Sequence, residues 1–313
     1  MSPAISPIRR CELVIGLPHT NLGGLSEVRL MMQAGHFQWN SIAAALNKPL
    51  STLRTKEGHP IYATFFYIDS KFPEKRPIGS FKLDESLLFL NKIKQFKGMS
   101  IDGEILFDRV QSFKDADRPD FDFDREAKAG RHPTLRMCNV FISHEGSNEF
   151  LKITTPEGCS FENMETIASG EEAYPITRAA SKHRAFDLFD KEWSPIDKEA
   201  DFSFDYTINP DRDTNGAGLV YFAQYIAFMD AAERQALLKN SSVPFSLEQI
   251  NHRTLVRRKI AYFANVDLEN TLTIVVALFR NNRSQVGARY QIFRKSDKKL
   301  IALSESIKSF PVG

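Results

Sequence analysis

Cysteine is scarce in this sequence: its 313 residues include only Cys11, Cys138 and Cys159, and no two of these are close together. An odd number of cysteines without a short spacing excludes a disulfide framework and a CxxC pair, and it is typical of reduced cytoplasmic thiols. Charge of one sign is also lacking, since 41 basic and 39 acidic residues leave a net charge of +2. This balance excludes a strongly basic face for polyanions, so no nucleic acid partner is expected.

Long hydrophobic runs are missing as well. The longest apolar stretch without a charge, residues 216–229, is shorter than the roughly 20 residues that a membrane span needs. Near the N-terminus, the apolar stretch after Arg9 and Arg10 is interrupted by Glu12 and is too short for a secretory signal. We therefore expect no membrane association and a cytoplasmic location.

Several catalytic motifs are absent. The sequence contains no GxGxxG, no Walker loop and no GxSxG, which argues against a dinucleotide cofactor, a P-loop and a serine nucleophile elbow. The seven histidines include no i,i+3 or i,i+4 pair, and Asn148 stands where the pair His144-Glu145 would need the second histidine of HExxH. The sequence therefore predicts no metal site and no bound cofactor.

Phenylalanine, in contrast, is abundant, with 25 residues against 8 Tyr and 2 Trp. With 42% apolar residues the chain can build a large core, and its length suits two domains or one duplicated unit. Apolar periodicity predicts a similar order of elements in both halves, separated by an irregular connector. We therefore divide the chain into 1–160, the connector 161–200 and 201–313.

The predicted elements are a helix and several strands in each half. In the first half they are a helix at 33–47, strands at 61–69, 86–95, 101–107, 138–143 and 149–155, and a charged loop at 113–137. In the second half they are a strand at 202–208, a helix at 217–239 and strands at 255–264, 272–281, 287–295 and 300–310. An antiparallel sheet around one apolar helix is the hot-dog architecture, and the halves overlay with 35–39 on 218–222. The sequence thus predicts an α+β double hot dog, a pseudo-dimer in one chain that buries the phenylalanines.

The segment 215–225, NGAGLVYFAQY, resembles the helix entry of hydroxybenzoyl-type hot-dog thioesterases, with the pattern D-x-x-G-x-V-Y-x-x-x-Y. In such a site, glycines let a thioester approach the backbone, and N–H groups at the helix start polarise its carbonyl oxygen. The resemblance therefore makes Gly216, Gly218 and Tyr221 candidate substrate-binding residues. It also implies backbone N–H groups near Gly216 and Gly218 as oxyanion donors.

Asn215 stands where that pattern has its catalytic aspartate. An asparagine cannot act as that nucleophile or base, but its amide can donate a hydrogen bond to an oxyanion or an enolate, and it does not repel an acidic acyl group. The site therefore favours a malonyl-type thioester over hydrolysis. Asp213, two residues earlier, is left open either as a base or as a cap of the helix entry.

A narrower resemblance covers most of the chain. The run 213–225 with Met229 and Asp230 is similar to the second hot dog of the leinamycin-type acyltransferase/decarboxylase family of trans-acyltransferase polyketide biosynthesis. Residues 35–41 with Trp39, the strand PIYATFFY at 60–67, and GSNEFLK at 146–152 resemble further stretches of that family in the same order. The resemblance implies that the protein transfers the acyl group of methylmalonyl-coenzyme A to the phosphopantetheine of an acyl carrier protein and decarboxylates it. Coenzyme A is then part of the substrate rather than a cofactor.

The resemblance makes Tyr62 the second candidate catalytic residue beside Asn215. It matches the family tyrosine that acts at the reacting acyl group. A phenol with an ordinary pKa near ~10 is a weak nucleophile, so a hydrogen-bond donor to the thioester oxygen is the safer role. The alternative is a tyrosine that only packs among neighbouring aromatic rings.

Other polar residues are weaker candidates for substrate binding. His19 and Thr20 lie in a glycine-containing loop, His36 is expected at the start of the first helix, and Ser147 and Asn148 lie in a predicted turn. The basic residues of 253–259 could meet coenzyme A phosphates or an acidic carrier protein. For each of these residues the alternative to ligand binding is a purely structural role in a loop, in the core or on the surface.

Two other classes of function stay open. One is a hot-dog thioesterase or dehydratase acting on acyl-coenzyme A or acyl carrier proteins, and the other is a non-catalytic module that docks carrier proteins. A homodimer is compatible with all three hypotheses, namely the acyltransferase/decarboxylase, the thioesterase or dehydratase, and the docking module. Asn215 disfavours hydrolysis, and the lack of a close histidine–carboxylate pair disfavours a dehydratase.

Overall fold

The computed structural model describes residues 7–113, 116, 121–144, 146–168, 170–196, 201–240, 245–281 and 285–311. Five long strands come from each half of this described chain. Those of the first half are β1 (Arg9–Val14), β2 (Ile61–Lys71), β3 (Ser86–Phe96), β4 (Ser100–Arg109) and β5 (Thr134–Ser143). Those of the second half are β6 (Phe202–Thr207), β7 (Thr254–Tyr262), β8 (Thr271–Arg280), β9 (Gln285–Arg294) and β10 (Leu300–Ser309).

The ten strands form one continuous antiparallel sheet in the order β1-β3-β4-β5-β2-β7-β10-β9-β8-β6. Both halves have the same spatial order of strands when each half is read from the outer edge of the sheet to the junction. The order is first, third, fourth, fifth and second strand of that half, so the second half repeats the topology of the first. The halves meet where β2 pairs with β7, with Ile68 opposite Ile260. The predicted duplication and the antiparallel α+β architecture are confirmed.

Three longer helices accompany the sheet: α1 (Glu27–Ala45), α2 (Ala173–His183) and α3 (Gln224–Lys239). The shorter helices are Phe123–Ala129, Pro210–Asp213 and Leu247–Asn251, and the 3-10 turns are Leu17–His19, Leu50–Thr52, Ile78–Ser80 and Val110–Phe113. Two-residue strands lie at Thr20–Asn21, Gly24–Leu25, Lys152–Ile153, Glu165–Thr166 and Ser194–Pro195. In the described part of the chain, no helix is long and apolar enough to cross a membrane.

Both central helices begin elsewhere than predicted. Helix α1 begins at Glu27 rather than at residue 33, because the Ser26 hydroxyl caps it by accepting a hydrogen bond from the Arg29 N–H. Helix α3 begins at Gln224 rather than at residue 217, because Thr214 and Val220 form a β-bridge that holds the preceding residues in a turn. Gly216 and Gly218 therefore lie before α3. The overlay of 35–39 on 218–222 is wrong, since it sets the middle of α1 against a turn.

The core fills the space between the sheet and the helices. Its largest cluster joins α1 and α3 to both halves of the sheet and contains the buried phenylalanines 37, 65, 72, 81, 89, 107, 222, 228 and 310. Gly35 allows the close approach of the two helical regions, because a methyl group at its Cα would lie 2.7 Å from Cζ of Phe222. Burial of the phenylalanines, expected from composition, is confirmed for these residues.

Two segments that were expected to be irregular contain regular structure. The connector includes α2, whose Ala173 and Ala180 pack on the outer face of the sheet against Tyr67 and Cys138. The predicted loop 113–137 lies partly outside the described residues, but it includes the helix Phe123–Ala129 and the beginning of β5. The predicted strand 149–155 is reduced to Lys152–Ile153. The high density of charged residues concealed the helix Phe123–Ala129, and the short apolar repeats of the connector concealed α2.

Candidate functional site

A cavity of about 860 Å³ lies at the junction of the two halves. It reaches both faces of the first residues of β2, because successive side chains of a strand point to opposite faces. Ile61, Ala63 and Phe65 line the inner side, and Tyr62, Thr64 and Phe66 line the outer side. Each half thus contributes to one cavity, since the segment before α3 and the end of β7 complete its wall.

The inner side is aromatic and lies between α1 and the start of α3. The rings of Phe65 and Phe222 have centroids 4.2 Å apart, and Trp39 lies 6.1 Å from Tyr221. The indole N–H of Trp39 donates to the carbonyl of Ala63 at 2.9 Å, so the ring is fixed against β2. These contacts give the cavity a rigid apolar wall.

The outer side is covered by α2. Tyr174 of this helix stacks on Phe66 with ring centroids 4.7 Å apart, and Tyr62 packs in the same cluster with Ile142 and Leu219. Tyr62 is half-buried, and its ring meets His144 edge to face at 6.3 Å. The structure therefore brings Tyr62 of the first half beside the turn of the second half that carries Asn215.

Asn215 closes this turn with its own amide. Its Oδ1 accepts the N–H groups of Ala217 at 3.0 Å and Leu219 at 3.2 Å. Among the described residues, none accepts a hydrogen bond from its Nδ2. Since Asn215 lines the cavity, its NH₂ group is the part of the amide that remains for a ligand.

The backbone donors differ in part from those expected. The N–H of Gly218 is already used by the carbonyl of Asn215 at 2.9 Å, and Gly218 does not line the cavity, whereas Gly216 does. Unpaired N–H groups lie at Gly216 and at the true start of α3, since the N–H groups of Gly216, Phe222 and Ala223 meet no acceptor within the described chain. Phe222 lines the cavity, so the positive end of the helix faces it.

Asp213 lies behind the cavity wall. It is fully buried, and its carboxylate accepts from the Tyr206 hydroxyl at 2.7 Å, the Asn209 N–H at 2.9 Å and Arg212 Nε at 2.9 Å. Burial by itself raises its pKa, but these hydrogen bonds more than offset that effect and hold the pKa below its ordinary value. The structure supports neither of the two roles left open: the carboxylate is enclosed by these donors, which does not suit a base, and it accepts no hydrogen bond from an N–H group at the start of α3.

Ser147 and Asn148 join segments of the chain to one another. The amide of Asn148 donates to the carbonyls of Gly218 at 2.8 Å and Val266 at 3.0 Å, and its Oδ1 lies 2.8 Å from Nε2 of His144. The Ser147 hydroxyl donates to Asp267 at 3.1 Å. Asn148 lies in the cavity wall, but its polar atoms are engaged in fixing the turn before α3.

The two histidine candidates lie in different places relative to the cavity. His36 lies in the middle of α1 rather than at its start, exposed on the rim of the cavity, with Nε2 3.1 Å from Nδ2 of Asn40. His19 and Thr20 are not brought to the cavity wall. His19 Nδ1 accepts the Gly16 N–H at 2.9 Å, and the Thr20 hydroxyl donates to the carbonyl of Leu17, so both stabilise their own loop.

The basic residues at 253–259 do not form a free surface cluster. Arg258 is 1% exposed and pairs with Glu27 and Asp230, Arg253 pairs with Glu233, and Arg257 pairs with Asp69. A phosphate or an acidic protein surface would have to displace these carboxylates. Of the two interpretations of these residues, the ion pairs of the three arginines therefore favour a structural role over an anion-binding patch.

Sequence reasoning did not select several polar residues that line the cavity. Among them are Glu149, Tyr174, Tyr225 and Lys299. Glu149 forms an ion pair with Arg294. Tyr225 is fully buried, and burial raises its pKa. Burial also raises the pKa of Tyr221, to about 12. Tyr225 belongs to the helix-entry pattern and could have been found from it, whereas the others depend on long-range packing.

Comparisons with known proteins support the fold. No model of a known family matches the chain, and no curated protein matches it. A putative oleoyl thioesterase of Lactobacillus plantarum has 10% identity and a TM-score of 0.66, over 98% of this chain and 97% of its own. An acyl-ACP thioesterase of Bacteroides thetaiotaomicron has 14% identity and a TM-score of 0.56, over 96% and 98%. A 12:0-ACP thioesterase of Umbellularia californica has 8% identity and a TM-score of 0.58, over 97% and 98%. At these identities the likeness establishes the double hot-dog fold along the whole chain.

Proposed function

We propose that the protein is an enzyme that acts on acyl thioesters carried by coenzyme A or by an acyl carrier protein. The observation that carries this proposal is the single cavity in which Tyr62 of one half meets Asn215 and the start of α3 from the other half. Its hydrogen-bond donors suit a thioester oxygen, and its long apolar walls suit the acyl group and the pantetheine arm. The full-length likeness to oleoyl and acyl-ACP thioesterases is consistent with it.

The reaction that this geometry supports best is acyl transfer with decarboxylation of a malonyl-type thioester. Asp213 is turned away from the cavity, and Glu149 is held by Arg294. The position next to the reacting carbonyl is therefore occupied by the neutral amide of Asn215, which does not repel an acidic substrate. A buried aromatic wall solvates a carboxylate poorly and penalises a delocalised enolate less.

In this reaction the bond between C2 and the substrate carboxylate breaks and carbon dioxide leaves. The electron pair of that bond moves to the thioester carbonyl and forms an enolate. The N–H group of Phe222 and the amide of Asn215 donate hydrogen bonds to the enolate oxygen, with the Tyr62 hydroxyl as a further donor. A proton from water is then added to C2. The thiol of the carrier's phosphopantetheine loses its proton and attacks the carbonyl, and the coenzyme A thiolate leaves and takes up a proton.

Hydrolysis is the second candidate, and it is favoured by His36 as well as by the thioesterases among the structural matches. An exposed imidazole on the rim, with Asn40 hydrogen-bonded to it, is positioned to take a proton from water. This reaction would release a free acid instead of an acylated carrier protein.

The test is a product assay by intact-protein mass spectrometry. The protein is incubated with methylmalonyl-coenzyme A and a phosphopantetheinylated carrier protein, and free acids are measured in the same samples. We expect propionyl on the carrier, and an Asn215→Asp variant should form it about 10²–10³ times more slowly because an oxyanion donor is replaced by a negative charge.

Tyr67→Phe serves as the control, because Tyr67 is buried in the cluster under α2 and does not line the cavity. A methylmalonyl carrier without loss of carbon dioxide would contradict the decarboxylation. Free acid alone would identify a thioesterase, and an unmodified carrier without free acid would contradict both reactions.

A further inference from the structure

Tyr225 is a residue of the cavity wall whose buried hydroxyl group has no hydrogen-bond partner among the described residues. Tyr225 is 1% exposed, and its hydroxyl is among the buried side-chain atoms of the described residues that form no hydrogen bond. It lines the cavity. Buried donors are normally satisfied, and leaving one unpaired costs free energy, so such a group on a cavity wall indicates a missing acceptor.

The neighbours of Tyr225 cannot supply that acceptor. Its ring packs against Tyr262 at 5.5 Å and Phe228 at 5.7 Å between centroids. The Tyr262 hydroxyl donates to the carbonyl of Phe222 at 3.0 Å, and it accepts no hydrogen bond from Tyr225. Phe228 has no polar atom, and so the side chain of Tyr225 is fixed by apolar contacts alone.

Position separates Tyr225 from the groups assigned to the thioester oxygen. Asn215 and Tyr62 are only half-buried, whereas Tyr225 is fully buried in the first turn of α3 and belongs to the main core cluster. The reacting carbonyl already has donors in Asn215, Tyr62 and the start of α3. An acceptor for Tyr225 must therefore lie deeper, on the acyl chain itself.

We propose that Tyr225 donates a hydrogen bond to an oxygen atom on the acyl chain and selects oxygenated acyl groups over plain alkyl groups. The ligand chemistry is a hydroxyl, oxo or carboxylate oxygen close to the thioester. Burial keeps the phenol protonated by raising its pKa, so Tyr225 acts as a donor throughout the neutral range. The inference rests on the proposed function, because it requires that the cavity bind acyl thioesters.

The experiment measures the binding of non-reactive coenzyme A amides that carry a butyryl, a 3-hydroxybutyryl or a methylmalonyl group. The variant Tyr225→Phe keeps the ring and removes only the hydroxyl. We expect it to raise the Kd of the two oxygenated analogues roughly 10-fold, as loss of a hydrogen bond does, and to leave the Kd of the butyryl analogue unchanged. Tyr67→Phe, a buried tyrosine outside the cavity, should alter none of the three.

Thermal unfolding of the ligand-free variant gives a readout that separates binding from structure. Because Phe removes an unpaired buried donor, the Tm of Tyr225→Phe should equal or exceed that of the wild type. Each of three results would overturn the inference: a lowered Tm, an unchanged Kd for the oxygenated analogues, or an equal rise in the Kd of the butyryl analogue. Failure of the wild type to bind any of the analogues would contradict the proposed function itself.

Discussion

Asp213 and Asn215 lie two residues apart and have opposite environments. The carboxylate of Asp213 is enclosed by donors behind the cavity, while Asn215 turns its oxygen into the loop and leaves its NH₂ group at the cavity. The chain thus keeps its negative charge away from the place where an acidic acyl group would react. The charge instead stabilises the turn before α3.

The pH dependence of stability tests this role of Asp213. Its folded-state pKa is lowered, so its stabilising effect is complete above its unfolded-state pKa of about 4 and is lost as the pH falls through the folded-state pKa. We expect Asp213→Asn to lower the free energy of unfolding by about 2 kcal/mol at pH 7, measured in urea, and by progressively less below pH 4. Asp211→Asn, on the exposed side of the same turn, should change it by less than about 0.5 kcal/mol. A difference independent of pH would contradict the assignment.

Among the site residues, those next to a local signal were predictable. Asn215, Gly216 and Tyr221 were found from one helix-entry pattern, and all three line the cavity. His19 was selected only because it adjoins glycines, and the structure uses it to accept a hydrogen bond inside its own loop. The orphan hydroxyl of Tyr225 could not be recognised, because the lack of a partner is a property of three-dimensional packing.

At the scale of elements, the start of each central helix decides where its N–H groups point. A capping residue, Ser26, fixes the start of α1, and a β-bridge before Val220 delays the start of α3. Hydrophobic periodicity indicates which residues share an apolar face. Because the residues of a preceding turn can also be buried, the pattern does not show where the helix begins. Most long strands were therefore predicted to within a few residues, but β1 was missed, most of the predicted strand 149–155 is not a strand, and both helix starts were missed by several residues.

The packing of α1 on the start of α3 gives the prediction at this scale. A Gly35→Ala methyl group would lie 2.7 Å from Cζ and 2.9 Å from Cε1 of Phe222, so the ring and the helix start must move. We expect a loss of about 1–2 kcal/mol in the free energy of unfolding by urea, and a larger proportional loss of acyl-transfer activity. Gly16→Ala, whose nearest contact would be 3.6 Å, serves as the control. Wild-type activity in Gly35→Ala would show that the position of Phe222 is unimportant.

At the scale of the whole molecule, the duplication raises the question of a second site. The cavity lies between the start of α3, the middle of α1 and β2, so its counterpart would lie between the start of α1, the middle of α3 and β7. Buried ion pairs occupy that place. Arg258 of β7 bridges Glu27 and Asp230, and Lys308 bridges Asp230 and Glu233.

This buried ionic cluster makes the two halves unequal. Three carboxylates face Arg253, Arg258 and Lys308, so the charges balance and each buried charge has a partner of opposite sign. Burial raises the pKa of Glu27, whereas the nearby Lys308 and Arg258 hold the pKa of Asp230 well below its ordinary value against the effect of burial. The duplicated topology was predictable from the repeated order of elements. The loss of symmetry was not, because each charge lies on a different element.

Isothermal titration calorimetry can establish whether each chain has one proposed acyl-thioester site that is built from both halves. The titrant is a non-reactive amide analogue of methylmalonyl-coenzyme A, and the fitted quantity is the number of ligands bound per chain. We expect one ligand per chain, because the ionic cluster fills the counterpart of the cavity. Two ligands per chain, or no binding at all, would contradict it.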